Sequence, residues 1–297
     1  MKKLLTIVLA LALVLALSVP ALANDGFVVY VSIANGDLVL TREAVSVVDI
    51  DGDDTITIND ALYCAHNCYF EGGAEAGYEA TEGEWGLGLT KLWGVENGGS
   101  YGYYVNGVSA WSLTDPLQEK DHVYAFIYTD TETWSDAFSF FDQDWVETVP
   151  SVPVELTLSY AGFDDDWNSV TLPVEGAEIL IDGEPTGVFT DAEGKATVFF
   201  NTPGKAVVSA KSESMTLVPP VCVADVGTPA GGLISPAPVS PAPSGNTYTV
   251  KAGDCLWHIA ELLTGKGWKY KALYEANKDI ISNPDLIYVG QTLILPW

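Results

Sequence analysis

Between Gly227 and Asn246 the chain reads GTPAGGLISPAPVSPAPSGN, twenty residues dominated by Pro, Ala, Gly and Ser and carrying no charge. Proline alternating with small residues lacks the apolar period of a helix and the donors of a central strand, and favours an extended, semi-rigid spacer. One core cannot run through such a stretch. The 297 residues must therefore fold as a large N-terminal part and a C-terminal module of about 50 residues. Charge divides at the same place. The chain holds 13 Lys+Arg against 40 Asp+Glu, net −27. Asn24 to Gly245 carry six Lys+Arg and 35 acids, whereas Asn246 to Trp297 carry five of each. Nucleic acid is excluded as a partner, because neutralising phosphate takes clustered Lys and Arg.

The N-terminus sets an expected compartment. Met1-Lys2-Lys3 is basic, Leu4 to Val19 is almost unbroken apolar sequence, and Ala21-Leu22-Ala23 ends it with small residues. This is the layout of a signal peptide over residues 1–23. It predicts a secreted chain with no membrane span after cleavage. Export permits disulfides, and there are four cysteines. Cys64 and Cys68 read as small buried side chains on one helix face, and a Cys222–Cys255 bridge stays open.

Before the spacer, hydrophobic patterning changes near Val149. Phe27 to Ile33, Tyr101 to Val108 and His122 to Thr129 read as strands, and Asp60 to Phe70 as a helix. Between 155 and 209 come only short strands with Asp182-Gly183 and Glu193-Gly194 turns, which predicts a small Ig-like sandwich over 149–226. After the spacer, Tyr248 to Val250, a helix capped by Asp254, a second helix over Trp268 to Asn277 and Gln291 to Leu295 give strand–helix–helix–strand. The fold class is α+β multidomain, with domains at 24–148, 149–226 and 246–297 and the linker at 227–245.

Within the last module, Tyr248-Thr249-Val250, Gly253-Asp254, Leu256-Trp257-His258-Ile259-Ala260, Leu273 to Asn277 and Asn283 to Gln291 closely resemble a LysM domain. Cys255 departs from the family, which usually has Ser or Thr there. The resemblance implies binding of N-acetylglucosamine polymers, peptidoglycan or chitin, in a groove between two loops. Carried over, one loop is Gly253, Asp254, Cys255 and Leu256; the other is Asn283, Pro284, Asp285, Leu286 and Ile287. Backbone groups would hold the acetamido groups while apolar side chains cover the sugar faces. Leu256 and Ile287 are alternatively core residues.

Asp49 to Asp60 reads DIDGDDTITIND. Oxygen donors at Asp49, Asp51, Asp53, Thr57 and Asp60, with the Thr55 carbonyl, have the spacing of a calcium loop. The pattern resembles dockerin calcium loops, with Asp54 where a glycine is usual and no second copy. The competing reading is an acidic turn capping the helix at Asn59 or Asp60. Farther on, the run Gly99-Ser100-x-x-Tyr103-Tyr104-Val105-Asn106-Gly107, followed by Asp121-x-Val123-x-x-Phe126-x-Tyr128, resembles the C-terminal domain of transcobalamin and intrinsic factor. That resemblance implies a β-grasp-like fold over about residues 27–130 and raises cobalamin or another small molecule as a ligand. Trp85, Trp93, Trp111 and Trp134 are then either stacking surfaces or core. No catalytic motif is present, so a non-catalytic, cell-wall-associated binding protein is expected. A surface capture protein and a wall hydrolase with an unrecognised site are the alternatives.

Overall fold

The computed structural model describes residues 27–84, 86–164, 168–228, 247–251, 254–281, 284, 287 and 290–297, apart from the Trp268 side chain. The signal segment and nearly all of the linker lie outside the described residues, as does Trp85.

The first domain is a mixed sheet with a helix on it. β1 (Phe27–Asn35) and β2 (Asp37–Val47) form a hairpin, followed by α1 (Ile58–Tyr69) and the short α2 (Gly73–Gly77). A separate hairpin, β3 (Glu79–Gly83) and β4 (Gly86–Lys91), precedes β5 (Tyr101–Val105), β6 (Val108–Ser109) and β7 (His122–Ile127). The sheet order is β2-β1-β7-β5-β6, with β1 and β7 parallel at its centre. Those two strands read as apolar runs because both sheet faces are covered. On one face, Ile58, Ala61, Leu62 and Ala65 of α1 close a core with Val29, Val31, Ile33 and Val123.

The second domain is a two-sheet sandwich built from β8 (Ala137–Phe141), β9 (Trp145–Thr148), β10 (Pro153–Phe163), β11 (Ser169–Pro173), β12 (Glu178–Ile181), β13 (Glu184–Phe189), β14 (Lys195–Phe199), β15 (Gly204–Lys211), β16 (Leu217–Val218) and β17 (Cys222–Val226). One sheet runs β11-β10-β8-β16, with β14 also on β10; the other runs β13-β12-β15-β17-β9. Leu156, Leu158 and Val198 face Ile179, Val208 and Ala224 across the core. Strand pairing moves the expected boundary. β8 and β9 lie before residue 149, yet they pair with β10, β16 and β17, so the first domain ends between Ile127 and Ala137.

The two domains share a third core. Tyr124 and Phe126 meet Phe138, Val218 and Val223 on the sheet face opposite α1. Phe138 stacks on Tyr104 with centroids 3.6 Å apart. Phe126 lies so close to β5 that a Cβ on Gly102 would fall 2.2 Å from its ring, so glycine is required there.

The C-terminal module pairs β18 (Thr247–Thr249) with β19 (Thr292–Ile294), antiparallel, around α3 (Leu256–Thr264), a 3₁₀ turn (Gly267–Lys269) and α4 (Tyr270–Asn277). Val250, Leu256, Ile259, Leu273, Ile281 and Leu293 form its core. Buried Asn277 fixes the closing strand: its amide donates to Leu273 O and Ile294 O, and its Oδ1 accepts from Ile294 N.

Candidate functional site

The first expected groove loop is built by hydrogen bonds that the sequence placed differently. Asp254 is not the helix cap. Its Oδ2 accepts from Lys251 N at 2.7 Å and Tyr248 OH at 2.9 Å, closing the turn after β18. Burial and the Asp254 charge raise the Tyr248 phenol above its usual range. The cap of α3 is Cys255, whose Sγ accepts from His258 N at 3.4 Å. Sulfur is a weak acceptor, so this cap is poorer than the usual hydroxyl.

Cys255 is also covalently engaged. It is disulfide-bonded to Cys68 near the end of α1, with Cα atoms 5.4 Å apart. The Cys222–Cys255 bridge that the sequence left open is therefore not formed, and Cys68 is not simply a core side chain. Cys64 and Cys222 are free and buried, and burial pushes both thiols up to about 12. With Cys255 oxidised, Cys255 and His258 are no nucleophile pair.

Of the remaining groove residues, Leu256 is 1% exposed and belongs to the module core, while half-buried Ile287 packs against that core. Gly253, Asn283, Asp285 and Leu286 lie outside the described residues. Cys255 and Leu256 of the first expected loop and Pro284 of the second line one cleft of about 390 Å³. Its far wall is α1 of the first domain. There Tyr63 meets Trp257 edge-on, with centroids 6.2 Å apart.

The acidic loop divides. Asp49, Asp51 and Asp53 bring carboxylate oxygens within 4.8 Å of one another. Asp49 is the hub, accepting from Asp51 N, Gly52 N and Asp54 N. Slight desolvation works against its charge, but the Gly52 and Asp54 amides outweigh it and hold the carboxyl below the usual range. Asp54 adopts φ +67°, the left-handed conformation a glycine would take without strain. Thr57 and Asp60 do something else. Thr57 Oγ1 accepts from Asp60 N, and Asp60 Oδ2 accepts from Thr57 N and Oγ1, a capping box at the start of α1. Asp60 Oδ1 also accepts from Ile50 N. These two expected ligands are thus engaged in the helix start, with Thr57 as the cap rather than the Asn59 or Asp60 of the competing reading.

One arrangement has no sequence signal at all. His122 places Nε2 2.8 Å from Ser32 Oγ and Nδ1 3.0 Å from Asp144 Oδ2. The spacing is that of a Ser–His–Asp relay, but Ser32 is 0% exposed and its Oγ already accepts from Arg42 N. A nucleophile needs a route to substrate, and this hydroxyl has none. Arg42 Nε lies 2.9 Å from the same Asp144 oxygen, with its guanidinium over Tyr30. Partial burial disfavours the Asp144 charge, yet His122 and Arg42 hold the carboxyl well below the usual range. The cluster pins the first domain to the second. Trp111 and Trp134 are exposed, whereas Trp93 is half-buried against His66 and Phe70.

Residues 248–296 match the LysM domain family. The potassium binding protein Kbp of Escherichia coli O6:H1 is 42% identical over 57 residues, which is 19% of this chain and 38% of that protein. The resuscitation-promoting factor Rpf of Micrococcus luteus is 53% identical over 51 residues, 17% of this chain and 22% of that one. The chain thus spans well under half of either relative. The N-terminal four Ig domains of Dscam1 isoform 9.44 superpose with a TM-score of 0.20 at 10% identity, covering 37% of this chain and 24% of that one.

Proposed function

We propose, from a LysM domain at residues 248–296, that this is a secreted, non-catalytic protein that binds peptidoglycan through that module and displays the acidic N-terminal domains from the wall. The LysM match itself supports binding of N-acetylglucosamine polymers. The observation that carries the reading is the convergence of Cys255 and Leu256 with Pro284 on one cleft. Affinity for a few sugars is expected to be weak, with rebinding along a polymer raising retention. Among the described residues no helix is long and apolar enough to cross a membrane. The test is cosedimentation with purified peptidoglycan. The full chain pellets, and a chain lacking residues 246–297, with Cys68→Ser to avoid a stray thiol, stays in solution. Equal pelleting of both would refute the reading.

Calcium is the accompanying proposal. Asp49, Asp51 and Asp53 would hold it, without Thr57 or Asp60. Three carboxylates on an exposed loop fit a weak extracellular site, with a dissociation constant of about 0.1–1 mM. A small-molecule ligand of cobalamin type is the lesser reading. Both faces of the first sheet are covered, one by α1 and the other by the Phe126–Phe138 core, so that sheet offers no open face to a flat ring.

A further inference from the structure

The LysM module does not meet the first domain through the linker alone. The Cys68–Cys255 bridge fastens the start of α3 to the end of α1, across 187 positions of sequence. The bridged cysteine belongs to the first groove loop itself, so whatever lies beside Cys68 becomes a neighbour of the groove.

What lies there has the chemistry of a sugar site. From α1 and its C-cap, half-buried Tyr63, Asn67 and Phe70 line the cleft; from the module come Trp257, Tyr270 and Pro284. Pyranose rings present C–H faces to aromatic side chains and hydroxyl and acetamido groups to amides. Tyr63 and Trp257 stand at 69° to each other, so one ring can lie under a sugar while the other borders its edge. Trp257 is held in that position because residue 267 is glycine: a Cβ there would fall 2.1 Å from the indole. Asn67 supplies a buried, unpartnered donor in the cleft wall. Its Oδ1 accepts from Ala74 N at 3.1 Å, which fixes the amide orientation, and its Nδ2 has no partner among the described residues. An unpartnered buried N–H is costly to leave unmade, and an acetamido carbonyl is an acceptor of the right kind. The cleft, about 390 Å³, lies within the size range of small-ligand sites.

We propose that the glycan site is composite: α1 of the first domain forms its second wall, with Tyr63 and Asn67 contacting an N-acetylglucosamine-containing chain, and the Cys68–Cys255 disulfide holds that wall against the LysM groove. This rests on the wall-binding reading but goes beyond it, because residues outside the LysM module then determine affinity. It also accounts for Cys255 in place of the usual Ser or Thr: a better helix cap is given up for a fixed wall.

Denatured, unreduced full-length protein should show two free thiols; four would overturn the proposal. The binding probe is the soluble N-acetylglucosamine pentamer, titrated calorimetrically into the full chain. Cys255→Ser removes the bridge while supplying a stronger cap, so the module stays folded. Cys255→Ser should weaken binding about tenfold, and Tyr63→Ala or Asn67→Ala, with the bridge intact, about three- to fivefold. Unchanged affinity in all three variants would overturn the composite site and leave LysM binding standing. Tighter binding by Cys255→Ser would mean that α1 covers the groove, which also overturns it. No binding by any form, wild type included, would overturn both this proposal and the wall-binding reading for this sugar.

Discussion

At the scale of single residues, His66 makes the clearest prediction. It is fully buried, with Nδ1 donating to Leu62 O at 2.6 Å and Nε2 accepting from Trp93 N at 3.0 Å. The second contact requires the neutral ring, because a protonated Nε2 cannot accept. Burial lowers its pKa from about 6.5 to about 4. A folded value below the unfolded one means stability is present above pH 6.5 and is lost as pH falls towards 4. The loss is about 3 kcal/mol. Denaturant unfolding followed between pH 7 and 4 should show it, and His66→Gln should flatten that slope; an unchanged slope contradicts the assignment. Part of this scale was legible in sequence and part was not. Thr57-x-x-Asp60 is a helix-start pattern in its own right, but the aspartates before it drew both residues into the calcium reading. The Cys68–Cys255 pair had no such signal, since a disulfide partner across 187 positions leaves no local pattern.

At the scale of elements, α1 is the pivot. It lies on the first sheet, carries the capping box at one end and the bridge to α3 at the other. Its extent, Ile58–Tyr69, lies within two residues of the helix expected from apolar spacing, because period 3.6 is a strong local signal. The domain boundary was less legible. β9 pairs in parallel with β17 and β8 with β16, contacts some eighty residues apart that patterning does not encode. On the opposite face of the sheet, Gly102→Ala would press a methyl into the Phe126 ring and disturb its packing near Tyr104 and Phe138. It should cost about 1–3 kcal/mol in equilibrium unfolding. A neutral result would mean that the shared core is loosely packed. In the loop before α1, calorimetry with calcium should show binding that Asp51→Ala abolishes and Asp54→Gly strengthens. The second change relieves the left-handed strain at φ +67° while leaving the three gathered carboxylates in place. Absence of a calcium-dependent heat removes the site.

Across the whole molecule, charge and covalent connection divide the labour. The negative excess lies entirely upstream of the linker, and the LysM module is balanced. A neutral module can approach a wall bearing anionic polymers without added repulsion, while the acidic domains favour solvent. The bridge ties these parts together, and by the loop-closure account it removes about 5 kcal/mol of entropy from the unfolded chain. The LysM fold was legible because its motif is local and dense, from Tyr248 to Gln291. The first domain's contribution to the cleft was not, because Tyr63 and Asn67 reach it only through tertiary docking. The most direct test of wall binding is release of the full-length protein from purified peptidoglycan by soluble N-acetylglucosamine oligomers at fixed ionic strength. Dose-dependent release, with pelleting insensitive to salt, is the predicted result. Pelleting that ignores the oligomers and follows ionic strength instead would contradict the account.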